Sequence, residues 1–72
     1  METMRYDRQR QRWTVGAMTL HCGDALDIRF DGRWIPVRME WRDGPGWIMY
    51  TSGEGLHILP GRNVVARCQR PR

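Results

Sequence analysis

Between residues 26 and 42 apolar side chains recur at every second position, Leu26, Ile28 and Phe30 and then Ile35, Val37, Met39 and Trp41, on either side of Asp31-Gly32. Leu26, Ile28 and Phe30 alternate with Asp27 and Arg29, the period of two that lays one side of a strand against a core. Asp-Gly then supplies residues that readily take positive φ, which both central positions of a type I′ turn require. The returning stretch, Arg33 to Arg42, puts Ile35, Val37, Met39 and Trp41 on one face. Trp34, Pro36, Arg38, Glu40 and Arg42 fall on the other. An antiparallel hairpin is the expected outcome. Pro36 has no amide hydrogen to give a ladder, so its position should meet an edge or a bulge.

The rest of the chain is punctuated in the same way. Trp13 to Leu20 reads as two short β-type pieces broken at Gly16, and His21-Cys22-Gly23-Asp24 as a turn ordered by the short Asp24 side chain. Asp43-Gly44-Pro45-Gly46 is a second turn, followed by a strand over Trp47 to Thr51 and a third turn at Ser52 to Gly55. Leu56 to Leu59 and Val64 to Cys68 complete the set, separated by Pro60-Gly61. Short strands at such intervals predict a small barrel or sandwich, and no stretch holds a helical period over three turns. Alternation alone does not decide whether Trp47 and Met49 or Ile48 and Tyr50 face inward. The expected core is Val15, Leu20, Leu26, Ile28, Phe30, Ile35, Val37, Met39, Trp41, Ile48, Ile58 and Val64, with Trp13 as a lid on one end.

At 72 residues the chain is one small domain, too small for a deep cleft between two domains. Its apolar runs, such as Trp47 to Tyr50, fall far short of the roughly 18 residues a membrane helix needs, and no apolar stretch follows the N-terminal charges. A cytoplasmic monomer is the expectation. All 12 basic residues are Arg, and the net charge is +4. Residues 1–12 and 62–72 carry eight Arg against Glu2 and Asp7, whereas residues 13–61 carry four Arg against six acidic residues. The basicity is therefore expected in the ends. Residues 1–11 read as a flexible basic arm, 12–69 as the β domain and 70–72 as a tail. Cys22 and Cys68 read as reduced thiols, and His21, Cys22, His57 and Cys68 lack the close spacing by which a single turn grips zinc. No metal and no cofactor are expected.

Three groups of residues, Gly23-Asp24-x-Leu26-x-Ile28, Gly32-Arg33-Trp34-x-x-x-Arg38 and Gly55-x-x-x-x-Pro60-x-x-Asn63-x-Val65, occur in an order that resembles Src homology 3-like barrels. The resemblance implies an all-β fold of five or six short antiparallel strands, curled to hide its sheet edges. The Ala-Leu-Tyr-Asp-Tyr segment that forms half of the peptide groove in signalling members of that family is absent, and one extra residue follows Pro60. Leu20-His21-Cys22-Gly23-Asp24 together with Gly32-Arg33-Trp34 also resembles a small uncharacterised bacterial family, over most of residues 13–68. That likeness implies a bacterial origin and supplies no activity. Leu56-His57-Ile58-Leu59-Pro60 is faintly similar to the pore strand of plasmid-borne type II dihydrofolate reductases, but His57 and Leu59 stand where that family has a polar Gln and Tyr.

Two functional classes follow. In the first, a protein or peptide partner binds a shallow site formed by Trp34, Arg38 and Trp47 and flanked by Arg29 and Arg42. Trp34 carries this reading, because alternation places a rigid amphipathic ring on the solvent face beside cations. It would equally pack over the N-terminal arm, against Tyr6 or Trp13. In the second, nucleic acid is bound by stacking aromatics while Arg5, Arg8, Arg10, Arg12, Arg67, Arg70 and Arg72 track phosphates. No arrangement of a base, a nucleophile and a pocket is visible in the sequence, so a non-catalytic module is expected.

Overall fold

A computed structural model describes residues 2–51 and 55–68. Eight strands form among them: β1 (Glu2–Asp7), β2 (Arg12–Val15), β3 (Met18–Thr19), β4 (Ala25–Phe30), β5 (Arg33–Arg42), β6 (Gly46–Thr51), β7 (His57–Ile58) and β8 (Val65–Cys68). They make one antiparallel sheet in the order β3-β2-β1-β8-β4-β5-β6-β7. The fold is thus all-β, as the alternation predicts, with more strands than the expected five or six. No helix among the described residues is long and apolar enough to cross a membrane.

The β4–β5 hairpin forms as its sequence dictates. Phe30 pairs with Arg33 across the turn, and Asp31 and Gly32 take φ of 49° and 72°. Both central residues are left-handed, the type I′ requirement. The strand ladder then runs without a slip to Ala25 opposite Arg38. Asp24 and Met39 extend it, since the Met39 amide donates to the Asp24 carbonyl at 2.9 Å.

The largest departure from expectation is at the N-terminus. Residues 2–7, read from sequence as part of a flexible arm, are β1. Its first residues pair with β8 (Glu2 with Ala66, Thr3 with Val65), and the following ones pair with β2, from Met4 opposite Val15 to Asp7 opposite Arg12. The sheet changes partner at Met4, whose side chain is fully buried and whose amide donates to the Val64 carbonyl at 2.9 Å. One apolar side chain in a charged segment has no visible period, yet burying it between two ladders anchors the strand. Arg8 to Gln11 form the turn into β2, where the Asp7 carboxylate accepts from the Gln9 and Arg10 amides. The expected tail, 70–72, and residue 69 lie outside the described residues.

The sheet bends over its own core without closing into a barrel, because β3 and β7, the ends of the strand order, do not pair. Met4, Val15, Leu20, Leu26, Ile28, Val37, Met39, Met49 and Ala66 form the buried cluster, with Trp13, Ile35, Trp47, Ile58, Val64 and Cys68 packed around it. Met4, Met49 and Ala66 were not expected there. Phe30 and Trp41 were, and both are exposed, at 64% and 54%. Each does point to the core side, opposite Arg33 and Trp47 respectively, but each sits at the end of a hairpin, beyond the reach of the strands that cover that side. Ile48 is buried apart from the main cluster, on the other face of the sheet, so β6 buries a residue on both sides.

Candidate functional site

The side of the sheet turned away from the core can be read row by row from the register. Arg67 of β8 lies opposite Asp27 of β4, which lies opposite Pro36 of β5. In the next row Arg29 faces Trp34. Beyond Pro36, Ala25, Arg38, Tyr50 and His57 follow one another across β4, β5, β6 and β7. Glu40 lies opposite Ile48, and Arg42 opposite Gly46.

Trp34 is the centre of this face. It is half-buried, and two guanidinium groups lie over its ring, that of Arg67 at 4.1 Å from the centroid and that of Arg29 at 5.2 Å. Arg67 is held in turn by Asp27, with Nε to Oδ2 at 3.1 Å. The indole is therefore flanked by cations from two other strands, and the electron-rich faces of its ring attract them. Neither Tyr6 nor Trp13 covers it; those two rings pack edge to face on each other, 5.3 Å apart.

A second cation–ring unit lies on the same face. The Arg42 guanidinium stands 4.9 Å from the centre of the Tyr50 ring, which also meets His57 edge to face at 4.3 Å. Arg42 starts opposite Gly46, so to reach Tyr50 its chain must run past Ile48. Ile48 is only 2% exposed although its register places it on the outer face. The Tyr50 hydroxyl is buried and finds no hydrogen-bond partner among the described residues.

Of the five residues expected to form one binding surface, Trp34, Arg29, Arg38 and Arg42 share this face. Trp47 does not. It lies opposite Trp41 on the core side, edge to face with it at 5.4 Å; Arg12 stands over its ring and its Nε1 donates to the Gln11 carbonyl at 3.1 Å. Alternation along β6 made either side available, and the arrival of the β1–β2 turn above Trp47 decides it. The cations expected to track phosphates are dispersed. Arg67 joins Trp34, Arg10 pairs with Asp7 at 3.6 Å, Arg12 stacks on Trp47, and Arg5 lines a cleft of about 410 Å³ with Arg62. Arg8 is exposed in the β1–β2 turn, and Arg70 and Arg72 lie outside the described residues.

A family model for a domain of unknown function, DUF5348, matches residues 2–68. The chain belongs to this family. The match begins at residue 2, so β1 lies inside the DUF5348 domain, in agreement with its place between β8 and β2. Comparison with curated proteins and with solved structures yields no match. What the DUF5348 domain can do is therefore argued from its own geometry.

Sequence reasoning missed Asp27 and the meeting of Tyr50 with His57 on the outer face. Asp27 was read only as a polar step in the alternation, yet it fixes Arg67 across β4 and β8. Tyr50 and His57 become neighbours through the β6–β7 pairing, a contact made by register that no local motif announces. Among the described residues no three His, Cys, Asp or Glu side chains gather as metal ligands would. His21 Nδ1 meets Asp24 Oδ2 at 3.5 Å, and the same oxygen accepts from the His21 amide at 2.7 Å, which ties the turn before β4.

Proposed function

We propose that this domain is a non-catalytic interaction module whose outer sheet face, centred on Trp34, takes an acidic segment of a protein partner. The observation that carries the reading is the flanking of one indole by Arg29 and Arg67, with Arg67 already positioned by Asp27. A guanidinium over a ring can still donate from its edge, and Arg67, whose Nε is taken by Asp27, keeps its terminal Nη groups to grip a carboxylate. Stacking also holds two long side chains that would otherwise lose rotamer freedom on binding. The ring serves as a platform for cations and is poorly placed as a stacking surface for a base.

Nucleic acid is the weaker reading on this face, because Asp27 and Glu40 stand among Arg29, Arg38, Arg42 and Arg67. Interleaved carboxylates repel a continuous phosphate chain, whereas a protein segment offers charges of both signs. The relation to Src homology 3-like barrels belongs to the same reading: the Gly32-Arg33-Trp34 hairpin supports it, as an open relative of that fold. A bacterial cytoplasmic setting is likewise part of the proposal.

The test is a nuclear magnetic resonance titration of the full chain. One ligand is an acidic peptide with leucines between its glutamates; the other is a mixed-sequence single-stranded oligonucleotide, each at low and near-physiological salt. The peptide should move the Trp34 indole signal and the Arg29 and Arg67 Nε signals, and Arg29→Gln with Arg67→Gln should weaken it. Absence of any peptide shift on this face at millimolar ligand would reject the proposal. Oligonucleotide binding that persists at near-physiological salt would transfer the face to nucleic acid.

A further inference from the structure

On the other face of β5 and β6, a cleft of about 340 Å³ opens between the β1–β2 turn and the β5–β6 hairpin, lined by Tyr6, Arg10, Gln11, Arg12, Cys22, Trp41 and Trp47. Its volume sits at the low end of the roughly 300–1,000 Å³ typical of small-molecule sites. Trp41 stands in this cleft 54% exposed, an indole that the alternation assigns to the core and that the fold leaves in solvent. It meets Trp47 by an edge, the rings inclined at 74°, so the pair does not close ring face against ring face. Trp47 is fixed by its Nε1 hydrogen bond to the Gln11 carbonyl and by Arg12, which stands over its ring 5.6 Å from the centroid.

The charge of the cleft is one-sided. Among the described residues two guanidinium groups line it and no carboxylate does; Asp7, paired with Arg10 at 3.6 Å, is outside the lining. An open aromatic face asks for a flat π-system, and two arginines ask for an anion. An aliphatic anion would leave Trp41 uncovered, and a neutral ring would leave Arg12 without an anion and Arg10 with Asp7 alone. One small molecule that satisfies both is a flat base joined to a phosphate. We infer that this cleft binds a nucleoside monophosphate, its base stacked on Trp41 and its phosphate held by Arg12 and Arg10.

The inference is independent of the acidic-partner reading, which concerns the opposite face. Its test follows the indole N–H signals of Trp41 and Trp47 in the full chain during titration with adenosine monophosphate, adenosine and inorganic phosphate. The monophosphate should give saturable shifts, and adenosine and phosphate should each bind at least about tenfold more weakly. Trp41→Ala should weaken the monophosphate by about 5- to 150-fold, the range that stacking on an aromatic side chain contributes. Arg12→Gln should bring the monophosphate down to the level of adenosine, which keeps the inference testable should Trp41→Ala fail to fold. Arg29→Gln, on the other face, should change nothing. The inference is overturned by any one of three results: no saturable shift at millimolar monophosphate, adenosine binding as tightly as the monophosphate, or a folded Trp41→Ala that binds undiminished.

Discussion

The claim that the N-terminal segment is part of the core is the most exposed to a single substitution, Met4→Ala. Met4 is the first residue at which β1 leaves β8 for β2, and no part of its side chain reaches solvent. Removing a fully buried Met side chain costs about 2–5 kcal/mol, from lost transfer energy and the cavity left behind. At about 0.05–0.15 kcal/mol per residue, a 72-residue domain holds about 4–11 kcal/mol in all. Met4→Ala should therefore remove a large share of the stability, and at about 4–8 °C per kcal/mol it should lower Tm by at least about 8 °C. Urea and thermal unfolding followed by tryptophan fluorescence measure it against two controls. Met39→Ala, equally buried in β5, should cost a similar amount; Met18→Ala, 54% exposed in β3, should stay within about 0.5 kcal/mol of the parent. A Met4→Ala variant as stable as Met18→Ala, while Met39→Ala loses the full amount, would refute the placement of β1 and restore the segment to a loose arm.

Two further outcomes follow from the turn and the thiols. Gly32→Ala introduces a Cβ that meets nothing within 4 Å, so its cost is the left-handed backbone alone, about 1–2 kcal/mol; an unchanged urea midpoint would deny the type I′ turn in solution. Cys22 is exposed, whereas burial, with help from Asp24 and Glu2, pushes the Cys68 thiol above its ordinary value of 9.0. Alkylation followed by mass spectrometry should therefore modify Cys22 first and Cys68 only at higher pH. The native state keeps the Cys68 proton to higher pH than the unfolded chain does. That contribution to stability is thus complete below the ordinary thiol range, and declines as pH rises through it towards the raised value; equal alkylation profiles for the two thiols would contradict this.

The period of two assigned faces well and assigned depth poorly, and the distinction explains most of what the sequence left hidden. Leu26, Ile28, Val37 and Met39 alternate and are buried, because strands from both ends of the chain lie over the middle of the β4–β5 hairpin. Phe30 and Trp41 obey the same alternation and emerge into solvent, because the covering layer stops short of them. Position along a strand relative to its cover is a tertiary quantity, and a local pattern does not contain it. The converse holds for Ile48, on the polar side by register and yet buried. The fold class and the central hairpin were thus legible, as were Trp34, Arg29, Arg38 and Arg42 on one side. Trp47 fell to the other side through a contact with a segment expected to be unstructured. That single misreading of β1 also hid the cleft, since both its arginines and Tyr6 come from β1, β2 and the turn between them. A flexible arm over residues 1–11 would have carried Arg10 as a free charge next to Arg12. β2 instead delivers Arg12 to a fixed place over Trp47, while the turn before it holds Arg10 on Asp7 in the lining of the same cleft.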